Sequence, residues 1–439
     1  MVWAVLLPVV LLSISACGMT NLMEAQNQLR ASFTSGDIAG SQQLLDQLGA
    51  RAYRTQDQVL VNLELGTLHY FNGNHAESKA YFISAEEEID RLFGISVERN
   101  LRAFLVNDGE LEYQGEDYED VMINLFNALS AIHLGDLEAA TVEARRASFK
   151  LENLSIRYDG LVETLSRSDT TSTDTSPGWG RGSTNIQASP FGHFLSYVIF
   201  SRQGREDNAR IEFDRFQRTF SRNFPGQRFI ESSRGTTAAV QGRGAPEAGN
   251  VLLLGFGGQA PSKVSNELRI YSNDLRTYIK YAVPSLRQHP TSIQRVEAVI
   301  NGTQTVSMPL LDDFATTAES VFQVRRPIII TRAIIRSTLK HVANRAGQRA
   351  AASEFGEGGR ILARLVGTIA TELTEVADLR SWQTMPGRVH GQTVHLPPGT
   401  HEIKIRYFDR TNRIIHELVQ HVDISPDNKL QIAETFFPG

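Results

Sequence analysis

Apolar residues recur at spacings of three and four along residues 21–165, which is the period of an amphipathic helix. Proline is absent between Thr20 and Leu165, so this stretch contains no strong helix breaker. Glycine followed by Asn or Asp interrupts the pattern at residues 36–37, 73–74 and 135–136. Glycine commonly ends helices because it accepts a positive φ. The pattern therefore predicts a series of helices joined by short glycine turns.

The clearest repeating unit is centred on Gly73. Leu65-Gly66 and His69 precede the turn, and small or aromatic residues follow it at Ser78, Phe82 and Ala85. This spacing is typical of tetratricopeptide repeats, in which small residues let the two helices of a pair pack closely. A second unit runs through Gly135, Ala140, Ala144 and Ala147, a weaker one surrounds Gly36, and a fourth follows at Gly204.

These units are unevenly spaced, whereas regular tetratricopeptide repeats recur about every 34 residues. We therefore predict a decorated, tetratricopeptide-like helical array over residues 17–224. A loop rich in Ser, Thr, Asp, Gly and Pro at residues 166–190 is expected to be mobile. A generic helical bundle with glycine turns is the alternative.

The C-terminal part has a different pattern. Residues 225–250 are rich in Gly, Arg, Ser and Thr and are predicted to be a linker. Short apolar or alternating runs then predict strands at residues 251–256, 296–300, 303–308, 393–396, 401–407, 417–424 and 430–435. A helical insertion is expected at residues 328–377. The sequence thus predicts an α+β domain over residues 251–439, with a small antiparallel sheet, following the all-helical array.

Candidate chemistry in the C-terminal part is sparse. His390, His395 and His401 are the nearest approach to a metal-ligand cluster, but they have none of the helical spacing of zinc hydrolases and are equally typical of surface residues. The glycine-rich residues 255–263 lack the ending of a phosphate-binding loop and favour a tight loop. We predict no catalytic or metal-binding residue, no cofactor, and a protein that is not an enzyme.

One predicted helix carries a basic face. Arg332, Arg336 and Lys340 recur every four residues and so share a side of the helix that begins near residue 328. Such a face suits an anionic lipid or an acidic polymer. The alternative is that the helix packs its apolar side on the next helix and leaves these charges in solvent.

The first sixteen residues have the layout of an export signal. An apolar run from Val2 to Ile14 precedes small residues and Cys17, the only cysteine among 439 residues, and is too short to span a bilayer. No Lys or Arg precedes the run, which departs from the usual pattern. We predict a signal peptide at residues 1–16 and lipidation of Cys17; a buried N-terminal helix with an incidental cysteine is the alternative.

Composition narrows the classes of function. A net charge of −5 at pH 7 and export both disfavour nucleic acid as a partner. Once Cys17 is acylated, no cysteine remains for a disulfide, a metal site or a nucleophile. Gly18 and Met19 follow the cysteine, without the Asp that favours retention in the inner membrane. We expect the periplasmic face of an outer membrane.

Several short blocks support this view by resemblance. Residues 14–17 resemble a bacterial lipobox. Asp378-Leu379-Arg380-Ser381-Trp382, Met385-Pro386 and residues 396–401 resemble the C-terminal signature of an uncharacterised group of repeat-bearing lipoproteins in Gram-negative bacteria. Residues 258–263 and 134–140 are similar to other blocks of that group. The resemblance implies location and architecture, and it implies no catalytic residue.

Helical repeats present a long concave surface that suits peptides. The candidate contact residues lie on the first helix of each pair: Asn62, His69, Tyr70, Asn124 and Asn127. Asparagine offers paired donors and acceptors to a peptide backbone, although such residues are equally typical of an ordinary surface. We expect an envelope-anchored lipoprotein that acts as a scaffold for protein partners. The alternative is an enzyme or regulator acting on an envelope polymer such as peptidoglycan through the C-terminal domain.

Overall fold

The structure, a computed structural model, describes residues 21–96, 111–150, 153, 189–227, 229–230, 246–272, 277–323, 326, 329 and 377–439. Within these residues, helices occupy mostly the N-terminal part and strands the C-terminal part. The chain is therefore a mixed α and β protein, as the sequence predicted at this coarse level.

The N-terminal part is built of helix pairs. The helices are α1 (21–34), α2 (Ile38–Ala52), α3 (Gln58–Phe71), α4 (His75–Ser96), α5 (Asp117–His133), α6 (137–150), α7 (Pro190–Arg202) and α8 (Glu206–Asn223), with a short 3-10 helix at Thr55–Asp57. The turns within the four pairs contain Gly36, Gly73, Gly135 and Gly204, all with positive φ. Glycine is suited to these turns because other residues rarely adopt that conformation.

Small residues let paired helices approach closely. A Cβ atom added to Gly66 on α3 would lie 2.7 Å from the ring of Phe82 on α4, so a larger residue could not fit without movement. The Ser78 hydroxyl donates a hydrogen bond to the Gly66 carbonyl at 2.8 Å. Ala140 and Ala144 on α6 are fully buried. These are the positions at which the sequence predicted close helix packing.

The strands are β1 (Val251–Gln259), β2 (Ser262–Ser272), β3 (Thr277–Arg287), β4 (Arg295–Ile300), β5 (Gln304–Met308), β6 (Leu310–Asp313), β7 (Pro386–Val394), β8 (Gly399–Phe408), β9 (Ile414–Ile424) and β10 (Gln431–Phe437). A further helix, α9, covers residues 314–323. The β4–β5 hairpin turns at Asn301 and Gly302, both with positive φ, as the Asn-Gly pair predicted.

The strands form three sheets. Two of them have four strands: one, which we call sheet A, has the order β10-β1-β7-β6, and the other, which we call sheet C, has the order β5-β4-β8-β9. Strands β2 and β3 pair only with each other. Every pair of neighbouring strands is antiparallel except β1 and β10, which are parallel. The predicted antiparallel sheet is present as sheet C, whereas the parallel pair in sheet A was not predicted, because it joins segments distant in sequence.

Strand β1 lies at the centre of the molecule. All nine of its residues are buried, which explains its nearly continuous apolar sequence. Leu252, Leu254 and Phe256 belong to the core shared with the helices, whereas Val251 and Leu253 belong to the core shared with sheet C. Sheet A is thus the middle of three layers, between the helical array and sheet C.

Several sequence predictions differ from the structure or lie outside its described part. The glycine-rich residues 255–258 are part of β1 rather than a loop, with Gly255 packed under Tyr407. The β2–β3 pair and the short strand β6 were not predicted. Residues 1–20, most of the 166–190 loop and nearly all of the 328–377 insertion lie outside the described residues, so Cys17 does as well. No helix in the described part is long and apolar enough to cross a membrane.

Candidate binding groove

Four of the five predicted contact residues are buried: Asn62, Tyr70, Asn124 and Asn127. The fifth, His69, is partly exposed, and its ring stacks on that of Tyr81 with centroids 5.1 Å apart. The inner side of the array is not free, because sheet A and a C-terminal segment pack against it. The expectation that these residues form an open contact surface is corrected accordingly.

Asn124 illustrates how a predicted contact residue is used within the chain. Its side-chain amide donates hydrogen bonds to the carboxylates of Glu86 and Glu143, at 2.9 and 2.7 Å. Glu86 also accepts a hydrogen bond from Lys150 at 2.7 Å. The amide that was predicted to recognise a partner's backbone therefore joins α4, α5 and α6 to one another.

The segment at residues 377–385 lies across the inner side of the array. It has no regular secondary structure and leads directly into β7. Its partners lie on α1, α3 and α5, which are the first helices of their pairs, and in the 3-10 helix: Gln26, Asp57, Glu64, Thr67 and Glu119. We call the surface formed by these five residues the array groove.

Arg380 fixes one end of the segment. Its side chain is 1% exposed, and its guanidinium group donates to Asp57 on the 3-10 helix at 2.8 Å. The same group forms a two-pronged pair with Asp378, at 2.9 and 2.8 Å. Burial alone would lower the pKa of Arg380, but the two carboxylates raise it above its usual range. A buried cation is stable here because both of its neighbours are anionic and hydrogen-bonded to it.

Trp382 fills an aromatic pocket in the groove. Its ring lies 5.6 Å from Phe82 and 6.0 Å from Phe126, measured between centroids. Its indole N–H donates to the hydroxyl of Thr67 at 2.9 Å. The side chain therefore buries a large apolar surface and satisfies its single donor, which are the two requirements of a buried tryptophan.

Two buried glutamates hold the backbone of the segment. Glu64 accepts the N–H groups of Gln383 and Thr384 at 2.7 and 2.9 Å, and the Thr384 hydroxyl at 2.6 Å. Glu119 accepts the N–H of Trp382 at 3.1 Å. Burial raises the pKa of each glutamate to about 7; for Glu64, the hydrogen bonds from Thr384 and Gln383 act in the opposite direction.

A second polar junction joins the array to the edge of sheet A. Glu434 on β10 accepts the Tyr70 hydroxyl at 2.6 Å and lies 2.9 Å from the ring nitrogen Nε2 of His133. The rings of His133 and His75 stack with centroids 3.9 Å apart. Burial, and then the neighbouring His133, lower the pKa of His75 to about 4.

The C-terminal part contains a cavity of about 540 Å³ between the ends of β1 and β7, the loop after β3 and the helix α9. Its lining includes Asp313, Glu319, His289 and Arg388. Arg388 donates to Asp313 at 2.9 Å. Burial, followed by Arg30 and Arg287, lowers the pKa of His289. The cavity thus holds two carboxylates, one of them paired with a guanidinium group.

The remaining candidates do not assemble into a site. His390 is buried on β7, with its pKa lowered to about 4 mainly by burial, and His401 on β8 is held by Asn301 and Pro397. Within the described ranges, no three His, Cys, Asp or Glu side chains are arranged to hold a metal ion. The basic face formed by Arg332, Arg336 and Lys340 lies outside the described residues.

Sequence reasoning missed the residues that build the groove. Glu64 carried a usable signal, because it is a lone carboxylate within the apolar run at residues 59–68. The pairing of Asp57 with Arg380 had no signal in the sequence, since the two residues are 323 positions apart in the chain. Comparison of the chain with models of protein families, with characterised proteins and with solved structures found no match.

Proposed function

We propose that this protein is a scaffold of the bacterial cell envelope, held to a membrane by a lipid on Cys17, whose tetratricopeptide-like array binds polypeptides of protein partners. The four helix pairs with glycine turns support the repeat assignment. The lipobox-like residues 14–17 and the resemblance to repeat-bearing lipoproteins support the anchor and a position on the periplasmic face of an outer membrane.

One observation carries the binding role. The array groove holds a polypeptide segment without regular secondary structure by its backbone N–H groups, through Glu64 and Glu119, and by one aromatic side chain, Trp382. Backbone hydrogen bonds combined with a side-chain pocket are the general way in which proteins recognise extended peptides. Here the bound polypeptide is the chain's own segment, so an external partner uses this groove only when residues 377–385 leave it.

The groove can be tested with a peptide that has the sequence of residues 377–385. Fluorescence anisotropy would measure its binding to the wild-type chain and to the full chain carrying Trp382→Ala, with Trp382→Leu as a milder second variant. We expect binding to the variants, in which the internal segment is loosened, and none to the wild type.

The matched control is the same peptide with its arginine, equivalent to Arg380, replaced by alanine. It should bind far more weakly, because it leaves Asp57 without its cation. Circular dichroism would establish that each variant is folded. Absence of peptide binding to a folded variant, or equal binding of both peptides, would refute the groove as a polypeptide-binding surface.

The anchor is tested separately in cells. Cys17→Ser should abolish acylation and release the protein from sedimented membranes, because a cysteine thiol is the group that bacterial lipoproteins acylate. A serine variant that stays firmly with the membranes would rule out the lipid anchor. Crosslinking in intact envelopes, followed by recovery of the wild-type protein, would then identify the partners.

The cavity in the C-terminal part favours a second candidate, an enzyme or regulator acting on an envelope polymer. Asp313 and Glu319 line it together, and paired carboxylates are the groups that cleave glycosidic bonds. The expected result for such an enzyme is release of soluble fragments from purified peptidoglycan, lost in Glu319→Gln. Equal release by the wild type and by Glu319→Gln would rule this candidate out.

A further inference from the structure

Each of the two four-stranded sheets ends in two edge strands, and three of these four edges are short or covered. Strands β5 and β6 have only five and four residues. The outward backbone of β10 is capped at Glu434, because the Gln420 side chain accepts the Glu434 N–H at 3.2 Å and donates to the Glu434 carbonyl. Short edges and covered backbone groups are usual protections against unwanted pairing between sheets.

Strand β9, the fourth edge, lacks these protections. It contains eleven residues, Ile414–Ile424, without lysine, proline or glycine. It pairs with β8 on one side and has no neighbour on the other side among the described strands. A register irregularity at Ile415 affects only the beginning of the strand, so residues 416–424 pair regularly with β8. A long, regular edge of this kind is a template for a further strand.

Apolar side chains are exposed along this edge. Ile414, Leu418 and Val419 are 50%, 38% and 42% exposed. Val422 and Ile424, near the end of the strand, are buried in the core between the two sheets. The strand is therefore anchored at its end, while its middle part presents aliphatic side chains to solvent.

The backbone groups on the free side of β9 belong to its odd-numbered residues. The Glu402 carbonyl on β8 accepts the N–H of Asn301, the residue after β4, at 2.8 Å, so the even-numbered residues of β8 bond toward β4. The odd-numbered residues of β8 lie opposite even-numbered residues of β9 and bond to them, since bonding sides alternate along an antiparallel strand. Glu417, Val419 and His421 consequently direct their N–H and C=O groups away from β8.

The sequence of this edge is complementary to itself. Two copies of β9 that pair antiparallel about Val419 place Glu417 of each copy opposite His421 of the other. An imidazole N–H can donate to a carboxylate, and such polar pairs stabilise opposed strands. Moving the centre of symmetry by one residue would place Glu417 opposite Asp423 in one direction, and opposite the apolar Val419 in the other. The pairing about Val419 is therefore the favoured register.

We propose that β9 is a dimerisation edge, at which two copies of this chain pair antiparallel about Val419 and join their two sheets C into one. Hydrogen bonds between the outward backbone groups hold the two strands together, and Leu418 and Val419 lose exposed apolar surface. The self-complementary sequence favours a second copy over a different partner, because a twofold interface requires the same strand to match itself. The inference goes beyond the proposed scaffold function and does not depend on it.

The test uses the chain without its predicted leader, residues 18–439, so that neither the leader nor an acyl chain contributes to association. Analytical ultracentrifugation over a range of protein concentrations would measure the dissociation constant of the dimer. We expect a reversible equilibrium between monomer and dimer.

Val419→Glu should raise that dissociation constant by about tenfold, because two like charges then oppose each other at the centre of the interface. Within the monomer the new carboxylate lies opposite Lys404 on β8, so the fold should be retained. Val419→Pro is a second variant: it removes a central N–H donor, and proline is tolerated at an edge whose N–H faces solvent. The matched control is Val142→Glu, the same change at a valine on α6 that is 50% exposed; it should leave the dimer unchanged.

The register has its own test. Glu417→His and His421→Glu should each weaken the dimer, by roughly fivefold, because each variant places two like residues opposite each other twice. The two changes combined should restore it, since the pair is then re-formed with its members exchanged. Circular dichroism would establish that every variant is folded.

Three results would overturn the proposal. One is a wild-type chain that stays monomeric at all concentrations. Another is a dimer that both Val419→Glu and Val419→Pro leave intact, which would place the interface elsewhere. The third is a monomeric chain that crosslinks in envelopes to another protein through β9, with the crosslink lost in Val419→Glu, which would assign the edge to that protein. The peptide test of the array groove does not involve β9, so failure of one proposal is distinguishable from failure of the other.

Discussion

The array groove and the ribbon formed by β2 and β3 place charged residues in opposite environments. In the groove, the cation of Arg380 is buried between two carboxylates, and buried glutamates accept backbone donors. On the ribbon, Arg269 lies exposed and directly opposite another basic residue. The charged groups in the groove are hydrogen-bonded within the chain, whereas the Arg269 side chain on the ribbon is largely exposed.

The comparison distinguishes polar groups that hold the chain together from polar groups that a partner can reach. The asparagines on the first helices of the repeats were predicted to bind a partner because of their position in the sequence. Instead, the Asn124 amide nitrogen donates to two neighbouring helices, and Glu64 accepts donors from residues 377–385. An external ligand must displace those partners in the groove, whereas the side chains of Arg269 and Tyr278 on the ribbon are each 68% exposed.

The largest effect is expected from removal of the groove cation. Arg380→Met removes the buried cation that pairs with Asp57 and Asp378, which should destabilise the protein by about 3–5 kcal/mol. Urea denaturation would measure the free energy of unfolding. The matched control is Arg413→Met, which breaks an exposed pair with Asp409 and should change that free energy by about 1 kcal/mol or less. Equal losses in the two variants would contradict the contrast.

Trp382→Ala should cost about 3–5 kcal/mol of stability, because it opens a cavity between Phe82 and Phe126. Tyr278→Ala on the ribbon removes an exposed aromatic side chain and should stay within about 0.5 kcal/mol of the wild type. Thermal unfolding of both variants would measure this. A loss of stability in Tyr278→Ala as large as that in Trp382→Ala would indicate that Tyr278 is packed against other residues of the chain.

Glu64 should make stability depend on pH. Its pKa is about 7 in the folded protein and about 4.5 ordinarily, so the folded state holds a proton that the unfolded state releases. This contribution is fully present below pH 4.5 and is lost as pH rises through 7, by about 3 kcal/mol. Glu64→Gln removes the dependence, so the advantage of the wild type over the variant should shrink across that window. Parallel stability curves for the two proteins would contradict the prediction.

A smaller effect of opposite sign is expected at the junction between array and sheet. The pKa of His75 is about 4 when folded and 6.5 ordinarily, so the unfolded state takes up a proton first as pH falls. Stability should therefore decrease between pH 6.5 and 4. The loss is about 1–2 kcal/mol after allowance for solvent screening, because the imidazole is only half-buried. His75→Asn should abolish this decrease relative to the wild type; an unchanged decrease would assign it to other groups.

Local features of the fold were predictable from the sequence. The helices follow from the spacing of apolar residues. Their turns lie at Gly36, Gly73, Gly135 and Gly204, because the backbone has a positive φ at each turn and glycine adopts it readily. The close approach of Gly66 and Phe82 also followed from residue size. Strands β1, β4, β5 and β8 were visible as apolar or alternating runs, since each depends on neighbours within a few positions.

The ribbon was missed for a local reason as well. Its outer pairs are Arg269 with Lys280 and Tyr271 with Tyr278, so its strands mix charged and apolar residues without the clean alternation of a half-buried strand.

Contacts between residues far apart in the chain were decided by the tertiary structure alone. The parallel pairing of β1 with β10, the pairing of Arg380 with Asp57 and the occupation of the array groove by residues 377–385 each join positions far apart in the chain. Such contacts leave no period in the sequence, because the spacing between their members is set by everything that folds between them. The sequence by itself determined the helix pairs with their glycine turns and the strands β1, β4, β5 and β8. Burial and charge pairing in three dimensions decided that the inner side of the array holds the protein's own chain.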